Sequence, residues 1–93
     1  MTREEFLVLA GKGVILLDGA TGSNLIKAGM PRGISTEQWV LEHPQVIQQL
    51  QREYVEAGSQ IVYAPTFAAN RSSLGNFGLE DQVDRLNREL VRV

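Results

Sequence analysis

The chain has 93 residues with nine Lys plus Arg, eleven Asp plus Glu, one His and no Cys, giving a formal net charge of −2. Its length allows only one compact domain, and 43% hydrophobic with 22% charged residues is typical of a folded segment. The lack of Cys excludes a disulfide or thiolate metal site within these residues, and a mildly acidic chain without a basic run is a poor partner for nucleic acid.

The first elements are a short helix and a strand. Thr2 followed by Glu5 is a capping-box pattern, which predicts a helix that Gly11 and Gly13 end. The continuous apolar run at residues 14–17 predicts a strand buried on both faces. Residues 18–24 are rich in Gly and small polar side chains, which favours a sharp turn into a helical turn at residues 25–28.

Two helices follow in the middle of the chain. Ser35 or Thr36 can cap a short helix through Leu41, and Pro44 fits the first turn of the next helix. That helix carries an apolar stripe at helical spacing, made of Ile47, Leu50, Tyr54 and Ala57. Gly58 is well placed to end it.

The last third of the chain predicts a second strand at residues 61–63, a loop at 64–67 and a final helix. The final helix has one apolar stripe, formed by Leu79, Val83, Leu86, Leu90 and Val93. The order strand, helix, strand, helix predicts the α/β class with a parallel sheet. Ligands of such sheets bind beyond the carboxyl ends of the strands, so residues 18–23 and 64–70 are the candidate site.

The glycine-rich turn after the first strand matches neither phosphate-binding motif. Gly19 and Gly22 give only G-x-x-G, whereas a dinucleotide fingerprint needs G-x-G-x-x-G, and no P-loop pattern is present. Backbone N–H groups of this turn can hold an anionic group while Asp18 accepts hydrogen bonds from a cationic one, an arrangement that suits an α-amino acid. The alternative is that Asp18 only caps the turn, and the spacing supports both interpretations equally.

Four segments in the same order resemble the homocysteine S-methyltransferase family, and most closely the homocysteine-binding module of its cobalamin-dependent members. They are residues 16–23 (LLDGATGS), 41–44 (LEHP), 52–59 (REYVEAGS) and 66–71 (TFAANR). The resemblance covers nearly the whole chain. It implies a (β/α)8 TIM barrel, which takes about 250 residues, so residues 1–93 would be an N-terminal fragment with about two βα units.

The resemblance also implies a reaction, in which zinc held by three Cys thiolates binds homocysteine as its thiolate. The thiolate would then take a methyl group from cobalamin or from a sulfonium or betaine donor, forming methionine. The donor would be a further domain or a small molecule. This chain lacks the zinc-binding cysteines, so we expect zinc and any cobalamin only in the full-length parent, and no catalytic or metal-binding residue in this chain.

Four residues take substrate-binding roles by their match to the family. Asp18 is similar to the acidic residue that receives the amino group of homocysteine. Gly19 and Ala20 are similar to the backbone donors to its carboxylate, and Thr66 to the family threonine that lines the same pocket. We therefore expect the fragment to supply the amino-acid end of the pocket and to be inactive alone.

The alternative is a non-catalytic, truncated α/β module that acts through self-association. Two parallel strands alone leave sheet edges unpaired and helices covered on one side only, which favours association of copies.

The expected cellular location follows from two missing features, a signal peptide and a membrane-spanning helix. Glu4 and Glu5 precede the first apolar stretch, and residues 11–13 split it from the next, so no signal-peptide core forms. No apolar run approaches the roughly 20 residues of a membrane-spanning helix, so we expect a cytoplasmic protein without membrane contact.

Overall fold

The computed structural model describes residues 1–93 and is mainly helical. Its elements are α1 (Arg3–Gly11), α2 (Gly22–Lys27), α3 (Thr36–Glu42), α4 (Pro44–Glu56), α5 (Arg71–Gly75), a 3-10 helix (Glu80–Gln82) and α6 (Val83–Arg92). Each helix that the sequence predicts is present. The final helix begins later than its apolar stripe, because the residues before it wind as the short 3-10 helix.

Helix starts follow the predicted caps. In α1 the Glu5 N–H donates to the Thr2 hydroxyl at 3.1 Å while the Thr2 N–H donates to the Glu5 carboxylate at 3.4 Å, which confirms the capping box. The Ser35 hydroxyl accepts from the Gln38 N–H at the start of α3. These boundaries depend only on neighbouring residues, which is why the sequence predicts them.

The core lies where α3 packs against α4 and α6, with α2 against α4. Nine hydrophobic side chains are buried there: Leu25, Met30, Trp39, Val40, Ile47, Ala69, Leu74, Leu86 and Leu90. The predicted stripe of α6 is confirmed, since Leu86 and Leu90 are fully buried and the other members pack around them. The predicted stripe of α4 contributes Ile47 to the core, and Leu50 packs against it.

The prediction of a first strand buried on both faces is wrong for these residues. The run at 14–17 is joined to its neighbour by one parallel bridge, from Leu17 to Ile61, and Val14, Leu16 and Leu17 are 86%, 53% and 45% exposed. Burial on both faces of a strand requires helices packed on both sides of it. Only one segment pairs with this run, and α1 buries none of its residues. The α/β barrel remains a prediction.

Hydrogen bonds join the two extended segments around that bridge. The Gln60 N–H donates to the Leu16 carbonyl at 2.8 Å, and the Asp18 N–H donates to the Ile61 carbonyl at 3.1 Å. The Gln60 side chain also accepts from the Leu16 N–H at 3.1 Å. The segments run in parallel, so the turn after the first lies beside the loop after the second.

Helix α4 fixes the turn that follows the first extended segment. The Tyr54 hydroxyl donates to the Ala20 carbonyl at 2.6 Å, and the Asn24 amide donates to the same carbonyl at 2.8 Å. A Cβ atom on Gly19 would lie 3.1 Å from the Tyr54 hydroxyl oxygen. The turn therefore approaches Tyr54 so closely that only glycine fits at position 19 without a shift.

None of the helices combines the length and the apolar character needed to cross a bilayer.

The α6 contact with the core predicts a large effect of L86A. Because Leu86 is fully buried, its truncation leaves a cavity and should lower the free energy of unfolding by about 2–5 kcal/mol. The matched control is V91A on the same helix, at a residue that is 68% exposed, with an expected change under about 0.5 kcal/mol. Urea unfolding measures both. Equal losses in the two variants would contradict this core.

The contact between Gly19 and Tyr54 predicts that G19A is destabilising. The Tyr54 hydroxyl group must move by a few tenths of an ångström to admit the new methyl group, and the strain on its hydrogen bond to Ala20 should cost up to about 1 kcal/mol in urea unfolding. G22A is the control, because a Cβ atom at Gly22 meets nothing within 4 Å.

The variant Y54F tests the cause of that loss. Without the hydroxyl group, the G19A substitution should cost less than it does in the wild-type background. An identical cost in both backgrounds would show that the Tyr54 hydroxyl is not responsible.

Candidate functional site

A cleft of about 510 Å³ opens at the carboxyl ends of the two extended segments. Its walls are the turn that begins at Asp18, the first turn of α3, one face of α4 and the loop at residues 63–68. Three of the four predicted site residues, Asp18, Gly19 and Thr66, line this cleft. Ala20 does not line it, although it lies in the same turn.

Asp18 joins the two sides of the cleft. The side chain is half-buried, and its Oδ2 accepts from the Tyr63 N–H at 3.2 Å, across 45 positions of sequence. No side chain caps the start of α2, so the Asp18 carboxylate does not serve as the cap of the helical turn that follows it. Its other oxygen, Oδ1, makes no hydrogen bond within the chain and can accept one from a ligand.

The predicted anion donors are backbone groups of the same turn. Neither the Gly19 nor the Ala20 N–H donates a hydrogen bond within the chain, and both residues are exposed. The Ala20 carbonyl, in contrast, is occupied by Tyr54 and Asn24. The turn is thus anchored through a carbonyl group while its amides remain available to an anion. Their role in binding a carboxylate stays a prediction.

Thr66 lies in the loop after the second extended segment. Its backbone N–H donates to the Ala64 carbonyl at 2.8 Å, and its carbonyl accepts from the Ala69 N–H at 3.1 Å. The side chain is half-buried in the cleft wall, and its hydroxyl group makes no hydrogen bond to the chain. A hydroxyl group held by a fixed backbone can serve as donor or acceptor for a ligand.

Glu37 is the residue of the cleft that sequence reasoning missed. It sits in the first turn of α3 and is only 5% exposed. Burial raises the pKa of its carboxyl group above the usual value, and a hydrogen bond from its own backbone N–H offsets the rise in part. A Glu in the first turn of a helix is normally exposed to solvent, and its negative charge interacts favourably with the helix dipole. The one sequence signal for the burial of Glu37 is its position three residues before the apolar Val40, which places both on one side of the helix.

The only histidine lies outside the cleft. The His43 ring stacks on Trp39 with ring centroids 4.3 Å apart, and its Nδ1 lies 3.0 Å from the Trp39 carbonyl oxygen. It connects α3 to α4, where it packs rather than acts as a base.

The chain's residues do not form the zinc site that the family resemblance implies. No group of three or more His, Cys, Asp or Glu side chains is placed to hold a metal ion. The cleft offers two carboxyl groups, Asp18 and Glu37, and no thiolate or imidazole. Two carboxyl groups do not match a tetrahedral zinc site that uses three thiolates.

Several characterised proteins resemble the chain. It is 30% identical over 91 residues to methionine synthase from Mycobacterium tuberculosis, covering 91% of this chain and 8% of that protein. It is 32% identical over 81 residues to methionine synthase from Mycobacterium leprae, covering 81% of this chain and 7% of that protein. Bovine betaine–homocysteine S-methyltransferase 1 is 38% identical over 66 residues, covering 70% of this chain and 16% of that protein.

No solved structure is similar to the chain. The chain spans less than a tenth of the two mycobacterial relatives. Residues 15–93 match the sequence profile of the family described as Homocysteine S-methyltransferase. This match covers most of the chain and includes every wall of the cleft, and the chain therefore belongs to the homocysteine S-methyltransferase family.

Proposed function

We propose that this chain supplies the amino-acid-binding end of a pocket in a protein that methylates the thiol group of homocysteine to form methionine. The observation that carries the proposal is the meeting of Asp18, Gly19 and Thr66 in one cleft, although Asp18 and Thr66 lie far apart in sequence. Relatives named methionine synthase and betaine–homocysteine S-methyltransferase support the reaction class.

The residues of the cleft match the two charged groups of an amino acid. The ammonium group would donate to the unoccupied oxygen of Asp18, and the carboxylate would accept from the backbone amides of Gly19 and Ala20. Thr66 would hydrogen bond to the substrate from the opposite loop. These contacts fix the amino-acid end of the substrate, and its side chain is then free to extend away from the turn.

Methyl transfer forms a bond between the sulfur of homocysteine and the methyl carbon. The bond from methyl to the donor breaks, its electron pair stays with the donor, and the thiol proton leaves the substrate. The residues of this chain bind and orient the substrate and do not take part in these bond changes. Orientation of this kind lowers the entropic part of the barrier.

The proposed metal ion and methyl carrier would bind elsewhere in the full-length protein. We place the zinc ligands and any cobalamin-binding domain in the full-length parent, outside residues 1–93. Chelation of the proposed zinc should then abolish activity of the parent protein and leave these 93 residues folded. The chain alone should be inactive.

The variant D18N tests the proposed ammonium contact. Replacing the carboxylate by an amide removes a charge-assisted hydrogen bond worth about 1.5–3 kcal/mol, so KM for homocysteine should rise about ten- to hundredfold in the full-length protein. The control is D81N, at an exposed residue outside the cleft. Steady-state kinetics with homocysteine as the varied substrate measures both. An unchanged KM in D18N would remove Asp18 from the site.

Exposed apolar residues favour a second role, self-association of the 93-residue chain. Val14 and Leu16 are exposed in the first extended segment, which pairs with only one neighbour, and Tyr63 and Phe67 are exposed after the second segment. The unpaired edge of an extended segment can pair with another chain.

Sedimentation velocity tests that role. The mean mass should rise with concentration, and V14K should reduce the rise because it places a charge on the edge. The control V91K adds the same charge on α6, at a residue that is also exposed, and should leave association unchanged. A monomer at every concentration would contradict self-association.

A further inference from the structure

Glu37 is a buried residue whose carboxyl group opens to the cleft and has no partner elsewhere in the chain. The one ion pair of the structure joins Arg85 to Glu89, on the outer face of α6. No other residue donates a hydrogen bond to the Glu37 carboxylate, and only its own backbone N–H reaches it. A carboxylate that loses part of its hydration normally has a cation or several donors beside it.

The residues that line the cleft indicate what kind of group could pair with Glu37. Glu37 lines the same cleft as Asp18, and the lining includes no Lys, Arg or His. The cleft therefore concentrates negative charge that the chain itself does not balance. A ligand with a cationic group would balance it.

The hydrogen-bond capacity of an ammonium group exceeds what Asp18 alone provides. An ammonium group has three N–H donors. One oxygen of Asp18 already accepts from the Tyr63 N–H, so a single oxygen remains for a ligand. Both oxygens of Glu37 lack donors from other residues.

We propose that Glu37 is a second substrate-binding residue, whose carboxylate accepts a hydrogen bond from the ammonium group of the amino acid that Asp18 also binds. The proposal rests on the proposed binding of homocysteine in the cleft. It assigns a binding role to a residue of α3, a helix outside the two loops in which sequence reasoning placed the site. It also makes the ammonium group, rather than the carboxylate, the most heavily contacted end of the substrate.

The surroundings of Glu37 determine its response to pH. Helices α4 and α6 pack against α3, and their charged residues are Arg52, Glu53, Glu56, Asp84, Arg85, Arg88, Glu89 and Arg92. None of them pairs with Glu37. The other titratable groups that line the cleft are Asp18, Tyr54 and Tyr63. Loss of hydration is therefore the main cause of the raised pKa of Glu37.

The sign of the pH effect follows from that cause. In the free protein, Glu37 keeps its proton to a higher pH than an exposed Glu, and only the ionised form attracts an ammonium group. Affinity for homocysteine should therefore rise as the pH increases through the pKa of Glu37. Between about pH 4 and 7 the ammonium group of homocysteine stays charged. Binding of homocysteine as its thiolate would release a proton and add a rise of its own, so the contribution of Glu37 is the part of the rise that E37Q removes.

The test compares two ligands in the full-length protein by isothermal titration calorimetry. Homocysteine carries the ammonium group, and 4-sulfanylbutanoic acid is the same molecule without it. E37Q keeps the size of the side chain and removes its charge. It should weaken homocysteine binding about tenfold or more and leave the affinity for 4-sulfanylbutanoic acid unchanged. The matched control E42Q changes an exposed residue of the same helix and should leave both affinities as they are.

Other outcomes distinguish a failure of the Glu37 assignment from a failure of the proposed function. Equal loss for both ligands in E37Q would show that Glu37 shapes the cleft without contacting the ammonium group, and no loss would remove it from the site. Persistence of the same pH-dependent rise in E37Q would also overturn the assignment, whereas D18N should retain that rise. If homocysteine does not bind the wild-type protein, the proposed function fails, and the role of Glu37 fails with it.

Discussion

The hydrogen bonds between the two extended segments are the constraint on which the cleft depends. They place the turn at Asp18 beside the loop that contains Thr66, and their outermost contact, from Tyr63 to Asp18, spans 45 positions of sequence. A parallel pairing cannot be closed by a tight turn, because the chain must return to the end at which it began. The return path here contains α2, α3 and α4, so the pairing lasts only while those helices stay packed.

Helix α4 transmits that packing to the site. Ile47 is buried in the core, and Tyr54 lies two helical turns later on the same face, where its hydroxyl group holds the Ala20 carbonyl. The position of the turn therefore depends on the position of a core helix. A hydrogen bond of 2.6 Å from a ring with few rotatable bonds leaves the turn little freedom, so its amides stay in place before a ligand arrives.

The sequence predicts correctly those features that depend on neighbouring residues, and it fails for the burial of residues 14–17, which depends on distant segments. The Thr2 and Ser35 caps and the α6 stripe follow from residues within one or two helical turns, and the structure contains them. The apolar run at residues 14–17 has the composition of a buried strand, but burial depends on which segments lie on both sides. The family resemblance identified Asp18, Gly19 and Thr66, which share the cleft, because a resemblance carries information about distant contacts that periodicity lacks.

Glu37 and Asp18 show how two carboxyl groups of one cleft acquire different properties. Asp18 is half-buried and accepts a backbone N–H, so part of its charge is already stabilised by the fold. Glu37 is a more deeply buried residue and receives only its own N–H, so its ionised form is costly and its pKa is raised. A carboxyl group that is partly desolvated and unpaired lowers stability, and a group of this kind in a cleft is a candidate for ligand binding. The partial burial of Glu37 limits the access of water, which strengthens any contact that it makes with a cation.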